Sequence, residues 1–341
     1  MTLDLALIWA GIIALAVLMY VLLDGFDLGI GILFPFARTP EHRSVMMDTV
    51  APIWDGNETW LVLGGGGLLA VFPVAYAILM PALYLPIYLM LIALILRGVA
   101  FEFRLRGRRR GKAFWTAAFA GGSTVAAFAQ GLVLGGFIQG VTVEGTSFAG
   151  GPFDWLSGYS ILVACGVVAG YALLGAGWLV LKTEGELYED ARRWARIALA
   201  ATALILLAVS LMTLRVHPQV AERWGVFSTG VDWPKVLQRI PVPLLGLIGI
   251  SICGYGLNRR AHHGPYLGAV LIFLSGYFGL AIGFFPYVVP YAVDFRQAAT
   301  APNAMLFMLI GAAIVVPLIL AYTGWVYWLF RGKVSADAGY H

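Results

Sequence analysis

The stretch LALIWAGIIALAVLMYVLLDGFDLGIGILF, residues 5–34, decides the fold. A helix needs about 20 apolar residues to cross a bilayer core. This run exceeds that length, and Asp24 and Asp27 are its only charged residues. The rest of the 341-residue chain has the same character, 60% hydrophobic and 12% charged, with a mean hydropathy of +0.85. A soluble domain carries roughly a quarter charged residues, so the sequence reads as an all-α polytopic membrane protein. No low-complexity linker or composition break divides it, and residues 1–341 are expected to form a single integral membrane domain. The N-terminal run lacks a basic leader and is expected to be a retained first span, not a signal peptide. Cys165 and Cys253 lie in separate apolar runs without a CxxC pattern, and they read as small core residues.

About nine transmembrane helices are expected, near 5–34, 54–73, 77–101, 113–137, 156–181, 195–214, 242–257, 266–286 and 303–330. Pro73 makes the break between the second and third, which are nearly fused. Under strict alternation, sixteen of the 22 Lys and Arg residues fall on one side and five on the other, with Arg97 alone inside a span. Cytoplasmic loops collect basic residues, so the N-terminus is expected outside (periplasmic) and the C-terminus in the cytoplasm. The net charge of +4 is then topological and points to no nucleic acid.

Among the loops, RLRGRRRGK (104–112) reads as a cytoplasmic basic hairpin that anchors topology. TEGELYEDARRWAR (183–196) reads as a short interfacial helix entry, and the outer loop 215–241 as ordered enough to cover a partner. Glycines at small-xxx-small spacing, such as Gly25 with Gly29 and Gly131 with Gly135, predict close helix contacts. The run Gly64–Gly67 has no Lys-Ser/Thr after it and is read as packing, not as a phosphate loop.

Asp24 and Asp27 are three residues apart and share a helix face near the cytoplasmic end of span one. In PIWDGNETWLVLGGGG (52–67), Asp55 and Glu58 have the same spacing at the start of span two, on the same side. Capping and dipole stabilisation would account for Asp55 and Glu58 alone. They do not account for Asp24 and Asp27, which stand near a helix C-terminus, where the dipole disfavours anions. Charges at membrane depth are costly and are usually kept for a pathway or a pairing. The four carboxylates together read as a proton intake or a cation site. Arg97, at the cytoplasmic end of span three, is either their structural ion-pair partner or a tuner of their ionisation; Glu102 and Arg104 read as interfacial. The five histidines (His42, His217, His262, His263 and His341) lie outside every expected span, so no haem ligand set, metal site or catalytic triad is indicated.

LLDGFDLGIGILFPF (22–36), MMDTVAPIWDGNETWLV (46–62), ALILRGVAFEFR (93–104), GWLVLKTEGELYEDAR (177–192), GFFPYVVPYAVDF (283–295) and VVPLILAYTGWVYW (315–328) resemble subunit II of the cytochrome bd-type quinol oxidases. The DGFD and WDGNETW elements look closest to the cyanide-insensitive oxidase branch. The resemblance covers nearly the whole chain. It implies two four-helix bundles plus one peripheral helix, in the bacterial cytoplasmic (inner) membrane. It also implies a heterodimer with a homologous subunit I carrying two b-type haems and a d-type or third b-type haem, which oxidises quinol and reduces oxygen to water. The present chain would carry no cofactor, although some relatives hold a structural quinone in this subunit. Protons would come from the cytoplasm past Asp24, Asp27 and Asp55, with Trp54, Asn57 and Trp60 around them. Glu58, which is not always acidic in the family, and Arg97 complete the candidate site. A stand-alone proton- or cation-coupled transporter is the alternative from a different class.

Overall fold

The computed structural model describes residues 4–106, 109–227 and 230–334. The side chains of Arg106, Arg108, Arg109 and Arg110 in the basic hairpin, and His341, lie outside the described residues. The helices are α1 (Leu5–Leu33), α2 (Pro40–Asp48), α3 (Trp54–Val71), α4 (Pro73–Arg106), α5 (Arg109–Gln139), α6 (Gly158–Lys182) and α7 (Gly185–Val216). They continue as α8 (Pro218–Arg223), α9 (Trp233–Arg239), α10 (Pro241–Arg259), α11 (Gly264–Phe284), α12 (Phe295–Ala298) and α13 (Pro302–Leu329). Three antiparallel two-stranded hairpins decorate one end: β1 (Val143–Glu144) with β2 (Ser147–Phe148), β3 (Val226–Phe227) with β4 (Gly230–Val231), and β5 (Tyr287–Val289) with β6 (Val293–Asp294).

Helices α1, α3, α4 and α5 pack as one bundle and α6, α7, α10 and α11 as a second, joined where α1 and α5 meet α6. Helix α13 lies outside both and leans on α1. Among the described residues, eight of the long helices combine the length and hydropathy to cross a bilayer. The remaining expected span, α3, has 18 residues but begins Trp-Asp-Gly-Asn-Glu-Thr, which lowers its hydropathy. Phe72 is the one non-helical residue between α3 and α4, and Pro73 starts the new helix. Helix α4 bends at Leu83 (φ −118°, ψ 15°), between Pro81 and Pro86. Its outer segment packs with Trp9, Phe72, Val289 and Phe295 in a core of its own.

The bundles approach closely because glycines remove the intervening side chains. A Cβ at Gly29 would fall on the Tyr171 carbonyl, and one at Gly175 on the backbone of Gly29 and Ile30. Gly131 and Gly135 lie in the same way on Ala164 and Ser160. Beside this contact, Gln130 of α5 donates to the Tyr20 hydroxyl of α1 (2.7 Å) and accepts from Tyr171 of α6 (2.8 Å). The four-glycine run is only half a packing surface: Gly64 and Gly67 face Val17 and Ile13, while Gly65 and Gly66 face open space.

Several basic residues counted as topology signals also terminate helices. Buried Lys182 donates to the carbonyls of Phe330 (2.5 Å) and Gly332 (3.3 Å), holding the end of α13. Lys333 pairs with Glu184 at 2.8 Å, and its hydrogen bond and charge hold the Glu184 carboxyl below the usual carboxylate range. Arg192 and Arg196 donate to the Leu257 carbonyl near the end of α10. Arg104 is buried, not interfacial as its position suggested: it bonds Thr116 and lies over the Phe34 ring. The segment 183–196 enters the next helix, forming the first turns of continuous α7. Lys182→Met is expected to remove the two hydrogen bonds that tie down the chain just after α13 and to cost about 1–3 kcal/mol, read as a lower unfolding temperature. An unchanged temperature would show that water replaces the ammonium.

Candidate functional site

Three helices of the first bundle bring their charged residues to one place. Asp24 and Asp27 are fully buried on α1, one turn apart on the face turned into the protein. Arg97 of α4 is equally buried and reaches both: Nη1 lies 3.0 Å from Asp24 Oδ1, and Nη2 lies 3.9 Å from Asp27 Oδ2. The same Nη1 donates to Glu58 Oε1 of α3 at 2.7 Å. One guanidinium thus faces three carboxylates, of which Glu58 alone retains solvent exposure, at 26% of its side chain.

Asn57 completes the cluster. Its amide donates to Asp27 Oδ2 (2.7 Å) and more weakly to the Leu23 carbonyl (3.4 Å), while its oxygen accepts from Tyr327 of α13 (3.0 Å). Asp24 Oδ2, Asp27 Oδ1 and Arg97 Nε are buried without a protein partner.

The other candidates divide. Asp55 is exposed at the first turn of α3 and bonds none of the cluster side chains. Helical phase explains the reversal relative to Glu58: α3 turns Asn57 and Trp60 inward, which carries Glu58 to the cluster's edge and Asp55 outward. Trp54 stacks on Phe101 of α4 (4.9 Å between centroids, 5° between planes) and steadies the α3–α4 contact next to Arg97. Trp60 is buried with Ala16 and Tyr20, and its indole N–H has no protein partner. Tyr327 is absent from the sequence-level site, since a tyrosine near the end of an apolar helix reads equally as an interfacial anchor.

Among the described residues, no group of three or more His, Cys, Asp or Glu side chains is arranged to hold a metal ion. The described histidines stand outside the long helices: His42 in α2, His217 between α7 and α8, and His262 and His263 between α10 and α11. Among the described residues, no membrane-spanning helix carries a histidine that could offer an imidazole to a haem iron.

The family description "Cytochrome bd terminal oxidase subunit II" matches residues 5–330. The chain belongs to that family. Cytochrome bd-I ubiquinol oxidase subunit 2 of Escherichia coli K12 is 26% identical over 365 aligned positions, covering 98% of this chain and 96% of the relative. The probable cytochrome oxidase subunit 2 of Haemophilus influenzae is 27% identical, with the same coverage of 98% and 96%. Cytochrome bd ubiquinol oxidase subunit 2 of Bacillus subtilis 168 is 26% identical and covers 96% of each chain. The fold matches the bd oxidase of Geobacillus thermodenitrificans with a TM-score of 0.75 at 16% identity, over 97% of this chain and 100% of that one. As a bd subunit II, the chain is a multi-pass membrane component of an oxidoreductase complex, and membership implies a subunit I partner.

Proposed function

We propose that this subunit II is haem-free and admits cytoplasmic protons to a quinol-oxidising, oxygen-reducing complex whose haems lie in subunit I. The observation that carries the reading is one buried guanidinium facing three carboxylates. With all four groups ionised, the cluster holds two uncompensated negative charges in an apolar interior. Desolvation costs several kcal/mol per ion, and proton uptake relieves it. A site that gains by binding protons, with one acid reaching the surface, suits a station between cytoplasm and partner.

The excess of Lys and Arg at this end supports its assignment to the cytoplasmic side of a bacterial inner membrane, with the N-terminus outside. Exposed Asp55, one turn from Glu58 on α3, is the outermost acid of the route. Reduction of oxygen to water consumes protons in the partner, so cytoplasmic supply would build a gradient without a pump.

The complex should be purified through this chain, with haem content and quinol-driven oxygen consumption measured. Asp24→Asn, Asp27→Asn and Glu58→Gln are expected to assemble with the ordinary reduced-minus-oxidised spectrum and to lose activity on the order of a hundredfold. Asp55→Asn should lose less, because Asp55 is exposed and bonds none of the cluster side chains. Full activity in all three cluster variants would sink the proton-path reading. A chain that purifies alone, without a haem-bearing partner, would favour a stand-alone transporter.

A further inference from the structure

The peripheral helix α13 makes few contacts, yet one of its side chains enters the acid cluster. Tyr327 lies on the turn before Phe330, whose carbonyl is gripped by Lys182. Its ring packs edge-on against both Phe26 (6.4 Å) and Trp178 (6.0 Å). Its hydroxyl donates to Asn57 Oδ1, and the opposite end of that amide donates to Asp27 Oδ2. Asp27 Oδ1 is left buried and unpaired.

We propose that Tyr327 is a positioning residue for Asp27: acting through Asn57, it fixes one carboxylate oxygen and leaves the other open to a proton. This rests on the proton-path reading above. An asparagine amide can turn either end toward a neighbour. A donor at its oxygen selects the orientation that presents N–H to the carboxylate. Without the hydroxyl, Asn57 Oδ1 is a buried acceptor with no protein donor, and rotation would set it against the Asp27 oxygens. Asp27 would then exchange protons more slowly even though every charged residue remains. The charged and titratable groups facing Asp27 are Asp24 on its own helix, Glu58 on α3, Arg97 on α4, Tyr266 on α11 and Tyr327 itself. Tyr327→Phe alters none of the other four.

The test compares Tyr327→Phe with Asp27→Asn in the purified complex, following oxygen consumption from pH 6 to pH 8. Tyr327→Phe is expected to keep haem content and to slow turnover about three- to tenfold at the alkaline end, the factor that one ordinary hydrogen bond supplies. The deficit should shrink toward pH 6, where protons are abundant; a merely structural contact would give a loss independent of pH. If Asp27→Asn is slow while Tyr327→Phe keeps the unmodified rate and pH profile, the positioning role is wrong and the proton path stands. If Asp27→Asn itself keeps full rate at every pH, Asp27 is no station on the path and the positioning role falls with it, while the path is judged on the Asp24 and Glu58 variants. Should Tyr327→Phe fail to assemble, Asn57→Ala breaks the same chain at its middle, and the same two outcomes are read from it.

Discussion

With Arg97 replaced by leucine, the complex is expected not to assemble. The substitution removes the one cation among Asp24, Asp27 and Glu58 and leaves like charges buried together. Removing one partner of a buried ion pair costs about 3–5 kcal/mol, and here three carboxylates lose their partner at once. Arg97→Lys should recover only part of the loss, because a single ammonium cannot reproduce the spread of a guanidinium over α1 and α3. The decisive measurement is the amount of haem-bearing subunit that co-purifies with the variant chain. Adding Asp24→Asn and Asp27→Asn to Arg97→Leu should raise that amount, since the pair neutralises most of the stranded charge. A normal yield from Arg97→Leu alone would mean that the carboxylates do not depend on it.

The second large effect is steric. Gly29→Val is expected to push α1 from α6, because its first added atom already falls on the Tyr171 carbonyl. Overpacking of this kind costs about 3 kcal/mol, and backbone on both sides leaves little room to yield. The same displacement would strain the Tyr20–Gln130–Tyr171 link, which spans the bundle boundary. Gly65→Ala, facing open space, is the matched control and should be neutral. Thermal unfolding of the two variant complexes separates the cases; equal melting temperatures would show that the boundary is softer than its geometry implies.

Much of this fold was legible because lipid imposes a simple grammar of long apolar runs and basic loops on one side. The convergence of Asp24, Asp27, Glu58 and Arg97 could also be read, since strict alternation brings the ends of three successive spans to one depth. Rotation about each helix axis could not. It separates Glu58, bonded to Arg97, from Asp55, exposed three residues earlier. In a helix apolar on nearly every side, no polar stripe announces which face turns inward. Tyr327 and Gln130 were hidden for a related reason: neutral polar groups in apolar helices become informative only once their partners are known. Arg104, Lys182 and Arg192 enter the loop arithmetic as basic residues expected at one membrane face, but that arithmetic does not show that their heads turn inward to carbonyls and side chains.

Because Phe72 alone joins α3 to α4, neither helix can travel far into the bilayer without the other. During synthesis α1 and the start of α3 emerge with their acids before the ribosome has reached Arg97. Until then those carboxylates have no cation to meet in lipid. The tight joint makes α3 and α4 a single hairpin for membrane insertion, so that Arg97 follows Glu58 directly and arrives opposite it. A helix that opens on Trp-Asp-Gly-Asn-Glu-Thr is thus tethered to a long apolar partner, which keeps Glu58 within reach of Arg97.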